Sequence, residues 1–175
     1  MKLRLLGFAC CAVLLAGAAT AQTKVTGHQD CAKPDVAGTI DAGDKTGHTL
    51  TLQKFNCTWT TGMEMAGVKS KDGGSAEVIE AWSNRTTTTG TYVGNMENGD
   101  KFFVSFHDSA SVKDGKPAVP IKGTWSYTGG TGKLKGIKGK GTYTITPKDD
   151  GGASVDVEGD YDIPAPAPPK TPKKK

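Results

Sequence analysis

The chain has 175 residues, with 22 Lys and Arg against 18 Asp and Glu, a formal charge of +4. The excess positive charge sits at the two ends, in Lys2 and Arg4 and in Lys170, Lys173, Lys174 and Lys175, so the body between them is slightly acidic. That distribution speaks against a nucleic-acid-binding surface. No stretch after Gln22 carries a sustained 3.6-residue apolar period, which excludes a long helix there.

Residues 1–21 read as a secretory signal peptide in helical form. Lys2 and Arg4 supply a positive start, and Leu5 to Leu15 is apolar apart from Gly7, too short for a transmembrane anchor. Ala19-Thr20-Ala21 supplies the small-x-small pattern for cleavage before Gln22. A lipoprotein signal using Cys10 or Cys11 fits less well, because Phe8 and Ala9 precede the cysteines and half the apolar run would be left behind. The 175 residues less these 21 leave 154, a normal size for one domain, expected over 22–163 in the periplasm or outside the cell. Cys31 and Cys57 then remain as one expected disulfide. Closing that loop contributes about 3.5 kcal/mol in the chain-entropy model. A metal or redox pair is disfavoured, since the spacing is far from CxxC and no histidine cluster accompanies it. No metal and no cofactor are expected.

Period-two patterns follow along the body. Around Leu50 and Leu52 the apolar set changes parity to Phe55, Cys57 and Trp59, which predicts a β-bulge near Gln53 and Lys54. Val78, Glu80 and Trp82 share one strand face, opposite Glu77, Ile79 and Ala81. Asn98-Gly99, between Tyr92-Val93 and Phe102-Phe103, is the strongest hairpin signal. Phe102, Val104 and Phe106 alternate with Ser105 and His107, and Trp125 and Tyr127 share a side with Gly123. Tyr143 and Ile145 alternate with threonines, and Val155, Val157, Tyr161 and Ile163 alternate with Asp156, Glu158, Asp160 and Asp162. Asp72-Gly73-Gly74, Asp114-Gly115, Gly129-Gly130 and Asp150-Gly151-Gly152 read as further turns. Asn84-Arg85-Thr86, formally a glycosylation sequon, reads as an ordinary turn. Short strands with turn signals about every ten residues predict an all-β antiparallel sandwich or barrel. From Pro164 the chain reads PAPAPPKTPKKK, a disordered tail whose lysines could contact an anionic envelope surface at about 1 kcal/mol each.

The run GGTGKLKGIKGKGTY from Gly129 to Tyr143, preceded by Gly123-Thr124-Trp125, resembles the glycine-rich hairpin of the allene oxide cyclase/dirigent-type barrel superfamily. It is similar in particular to small secreted bacterial proteins of unknown function in that group. The resemblance implies a closed or nearly closed antiparallel barrel of about eight strands with a central cavity, in which Leu134 and Ile137 plug the core. It transfers a fold and no catalytic residue.

The same run is no phosphate loop, because neither GxxxxGK[ST] nor GxGxxG is present. The histidines His28, His48 and His107 accompany no GxSxG elbow, and no catalytic residue is assigned. Glu80 is the position singled out for binding. With Trp82 pointing inward, Glu80 would become an interior polar anchor in a cavity lined by Trp82, Trp125 and Tyr127. These four residues form the expected ligand site, for a small apolar molecule. The expected function is non-enzymatic small-ligand binding or envelope association, with an isomerase or cyclase acting on a small apolar substrate as the alternative.

Overall fold

The computed structural model describes residues 22–164, and in it eight antiparallel strands close on themselves into a barrel. The staves are β1 (Thr23–Cys31), β3 (Thr49–Thr61), β5 (Val68–Ala81), β6 (Arg85–Met96), β7 (Lys101–Lys113), β9 (Ile121–Gly130), β10 (Lys138–Pro147) and β11 (Ala153–Asp162). Around the ring they run β1-β11-β10-β9-β7-β6-β5-β3, and β3 closes the circle against β1. Three accessory pieces lie off the ring: β2 (Asp35–Asp41), β4 (Glu64–Met65) and β8 (Lys116–Pro117). Among the described residues the helical content is one 3-10 turn, Gly132–Leu134. Residues 1–21, expected to be a signal peptide, and residues 165–175 of the expected tail lie outside the described residues.

The N-terminal strand is divided in its pairing. β1 lies beside one half of β3 and ends with Cys31 directly opposite Cys57, where the disulfide joins them. The chain then passes Pro34 and continues as β2 along the other half of β3. The expected staple between the N-terminal segment and the first long strand is therefore present.

Alternation places the side chains as expected along most staves. Val155 and Tyr161 of β11, Phe102 and Val104 of β7, Trp125 and Tyr127 of β9 and Tyr143 of β10 are buried in the interior, and Val157 and Phe106 pack against them. One end of the barrel is plugged. The β3–β5 connection brings Met63 and Met65 into the buried cluster that holds Phe102, with Met65 Sδ accepting from the Tyr127 hydroxyl, and the β9–β10 connection brings Leu134 and Ile137 to the same cluster. Each such buried apolar side chain contributes about 1.5–3 kcal/mol.

The aromatic side chains of the interior lie over glycines on neighbouring strands. A methyl group at Gly94 would lie 2.0 Å from the Phe102 ring, one at Gly123 2.2 Å from Tyr143, and one at Gly90 2.3 Å from Phe106. The Trp125 indole covers Gly141 and Gly159 in the same way. Missing Cβ atoms thus make room for large rings inside a narrow, strongly curved sheet.

Three expectations are corrected here. No bulge interrupts the β3–β5 ladder at Gln53 and Lys54, because Thr49 to Thr58 pair with Ala81 to Asp72 in unbroken register. Gln53, Phe55, Cys57 and Trp59 all face inward, while Leu52 lies on the outer face, 51% exposed, beside Val78. One irregularity lies opposite Gln53 and Leu52 but on β2, at Val36/Gly38, and the others fall at Ser70/Asp72, His28/Gln29 and Phe103/Val104. Asp72-Gly73-Gly74 is no turn but the middle of β5, where Gly73 accommodates the Tyr92 ring. Gly129 and Gly130 belong to the end of β9, and the chain turns after them. The Asn98-Gly99, Asp114-Gly115 and Asp150-Gly151 turns form where expected.

Candidate functional site

Above the plug the barrel is hollow. The cavity measures about 300 Å³ and reaches the end of the barrel marked by Pro34, Ile121 and Pro147. That is the lower end of the usual range for ligand pockets, about 300–1,000 Å³. Its wall is largely apolar and aromatic, with Phe55, Trp59, Phe106, Trp125, Tyr127 and Tyr143 all contributing.

The four residues named from the sequence divide into two pairs. Trp125 and Tyr127 line the cavity, their rings in edge contact at 4.9 Å between centroids. Glu80 and Trp82 do not. β5 presents Ser75, Glu77 and Ile79 to the interior, so the parity runs opposite to that expected, and Glu80 lies on the outer face.

There Glu80 belongs to a clamp around His48. The imidazole Nδ1 lies 2.5 Å from Asp44 Oδ1 and Nε2 lies 2.9 Å from Glu80 Oε1. Both nitrogens can donate only in the imidazolium form, and these two carboxylates raise the His48 pKa. Trp82 stacks on the imidazole at 4.9 Å, and the Arg85 guanidinium covers Trp82 at 4.0 Å. The cluster fastens the β2–β3 connection to the end of β5, a structural task.

The interior acid is Glu77, together with Asp108 of β7. Both are nine-tenths buried or more, with Glu77 9% and Asp108 4% exposed, and both line the cavity. Gln53, directly opposite on β3, donates from Nε2 to Glu77 Oε1 at 2.7 Å, and Ser75 donates to the other oxygen at 3.4 Å. The Tyr143 hydroxyl donates to Asp108 Oδ2 at 2.6 Å. Burial raises the Glu77 pKa, the Gln53 hydrogen bond opposes this, and the charge of Asp108 adds to the rise. Burial also raises the Tyr143 pKa, so the hydroxyl stays a proton donor to Asp108.

A second polar chain crosses the cavity nearer the plug. Trp59 Nε1 donates to the Tyr92 hydroxyl at 3.0 Å, and that hydroxyl donates to Gln29 Oε1 at 2.8 Å. His28 and His107 face outward, His28 against Asp156 and His107 against Thr89. Among the described residues, no histidine lines the cavity.

No family model matches this chain, and no curated protein matches it. Solved structures do. A protein of unknown function from the DUF3224 family of Shewanella oneidensis MR-1 superposes over 84% of this chain and all of its own, at 18% identity and a TM-score of 0.48. A conserved protein of unknown function from Rhodopseudomonas palustris covers 81% of this chain and 98% of its own, at 9% identity and a TM-score of 0.45.

Proposed function

We propose that this chain is an exported small-molecule-binding protein that holds its ligand inside the barrel. The observation that carries the reading is the hollow itself. About 300 Å³ of largely apolar, aromatic-walled space lies above a tightly filled plug, with a few inward polar groups to orient an occupant. A packed interior leaves few voids larger than a water molecule, so a space of this size calls for a purpose. The signal-like segment 1–21 and the Cys31–Cys57 disulfide support an oxidising, extracytoplasmic location. The glycine-rich hairpin from Gly129 to Tyr143 keeps its likeness to the cyclase and dirigent barrels as part of this proposal, for the architecture alone.

Native mass spectrometry of the protein purified from its own envelope tests the reading. The expected spectrum contains a species heavier than the polypeptide by the mass of one small organic molecule, which departs on denaturation. Bare polypeptide alone, with no adduct even after incubation with indole or toluene, would overturn it.

A further inference from the structure

We infer that the barrel selects a ligand bearing an ammonium group on a compact apolar or aromatic body, with Glu77 and Asp108 receiving the cation. The inference rests on the cavity reading above and narrows it to one chemical class.

The argument starts from an imbalance of charge. Two carboxyl groups stand in the wall of a largely apolar hollow, and among the described residues no cation is paired with either. Among the described residues, neither Glu77 nor Asp108 takes part in a salt bridge with Lys, Arg or His. Their protein partners are neutral donors: Gln53 and Ser75 for Glu77, Tyr143 for Asp108. Removing a carboxylate from water without a counter-charge is costly. The raised pKa of Glu77 is the expected response of a carboxyl group so placed. Replacing either side chain by an apolar one of similar size would be the cheaper way to fill the space, as the plug at the other end shows with Met, Phe, Leu and Ile. The acids instead stand in the cavity wall, where an occupant could reach them.

The placement also fits one cation held by both groups. Glu77 and Asp108 lie on β5 and β7, on either side of β6, which presents only Gly90 and Thr88 between them. Glu77 pairs with Gly90, and Asp108 pairs with Thr88, so β6 puts no bulky side chain between the two acids, and the Phe106 ring of β7 lies over Gly90 beside Glu77. An ammonium has three donors and no acceptor, which suits carboxylate oxygens that already accept from neutral neighbours. Charge-assisted hydrogen bonds of this kind are about twice as strong as neutral ones. The remaining wall of Phe106, Trp125 and Tyr143 supplies aromatic faces for the body of the ligand and for the cation.

The test uses three indoles of nearly equal shape, titrated by calorimetry into the mature protein at neutral pH. Tryptamine carries the ammonium, 3-propylindole replaces it with a methyl group, and indole-3-propionate carries a carboxylate. Tryptamine is expected to bind at least about tenfold more tightly than 3-propylindole, with the carboxylate weakest. Glu77→Gln, nearly isosteric, is expected to bring the tryptamine to 3-propylindole ratio close to one, while Glu80→Gln on the outer face leaves the ratio at its parental value. Circular dichroism of each variant confirms that the barrel has formed. If 3-propylindole binds as well as tryptamine in the parent protein, the ammonium inference is overturned and the cavity reading stands. If none of the three binds, the ammonium inference is overturned, and the cavity reading falls with it only if the native mass spectrum also shows bare polypeptide alone.

Discussion

Replacing Gly94 by alanine probes how the barrel accommodates its aromatic interior. Gly94 of β6 faces Phe102 of β7 directly in register. A methyl group there would lie 2.0, 2.2 and 2.7 Å from three atoms of the Phe102 ring. Ordinary carbon–carbon contacts are about 3.5–4.0 Å. Phe102 is 1% exposed and wedged between Tyr92 and Tyr127, whose ring centroids lie 5.9 and 6.0 Å away, so the ring has little room to retreat. Overpacking of this sort costs about 1–3 kcal/mol, and the depth of the overlap places Gly94→Ala near 3 kcal/mol. The strand preference for alanine over glycine returns less than about 1 kcal/mol of that. In urea the midpoint should fall by roughly 1–1.5 M at unchanged slope. Gly38→Ala is the control, because nothing lies within 4 Å of its Cβ position, and it should stay within about 0.5 kcal/mol of the parent. A double variant with Phe102→Leu should cost less than the two single changes added together. A Gly94→Ala protein within 0.5 kcal/mol of the parent would refute the proposition that missing Cβ atoms make room for the rings.

Reducing the Cys31–Cys57 disulfide, or replacing both cysteines by serine, should lower stability by about 3.5 kcal/mol, measured by urea denaturation with and without reductant. The His48 clamp predicts a pH dependence with a definite sign. His48 has a raised pKa when folded, so its contribution is fully present below the unfolded value of about 6.5 and is lost as pH rises through the folded one. Asp44, lowered by the same contact, contributes above its unfolded value and loses its share in acid as pH falls through the folded one. Melting temperatures between pH 5 and 9 should therefore decline on the alkaline side in the parent, and Glu80→Gln should flatten that decline. An equal decline in both proteins would contradict the clamp.

The fold was legible wherever one face of a strand is wet and the other dry. β11 is the clearest case, since its acids alternate strictly with Val155, Val157 and Tyr161. Period two breaks down as a guide where the outer face carries apolar residues. Leu52 and Val78 pair across β3 and β5 on the outside, and reading them as core reversed the parity of β5 and of the first half of β3, while Phe55, Cys57 and Trp59 face inward as read. The same slip carried Glu80 inward in place of Glu77, for the two lie three residues apart and must face opposite sides. Charge could not decide between them. Gly73 could have, because a glycine facing a cross-strand aromatic marks the inner face, and Ser75 and Glu77 follow it at period two. Trp82 misled for a related reason. It lies just past the end of β5, where it finds His48 and Arg85 outside the barrel and not the core. Trp125 and Tyr127 were legible because Gly123 shares their face and the interior rings need such neighbours. Asp108 drew no attention from sequence, since nothing local shows that Tyr143, 35 residues away, meets it.

The three tryptophans allow the hollow barrel itself to be tested in one spectrum. Trp59 and Trp125 line the cavity, their indole nitrogens donating to the Tyr92 hydroxyl and to the Thr142 carbonyl, while Trp82 stacks on His48 outside. In a proton–nitrogen correlation spectrum titrated with tryptamine, the indole signals of Trp59 and Trp125 should move together and saturate, with Trp82 stationary. Movement of Trp82 alone, or no movement of any of the three, would contradict an interior that receives a small molecule.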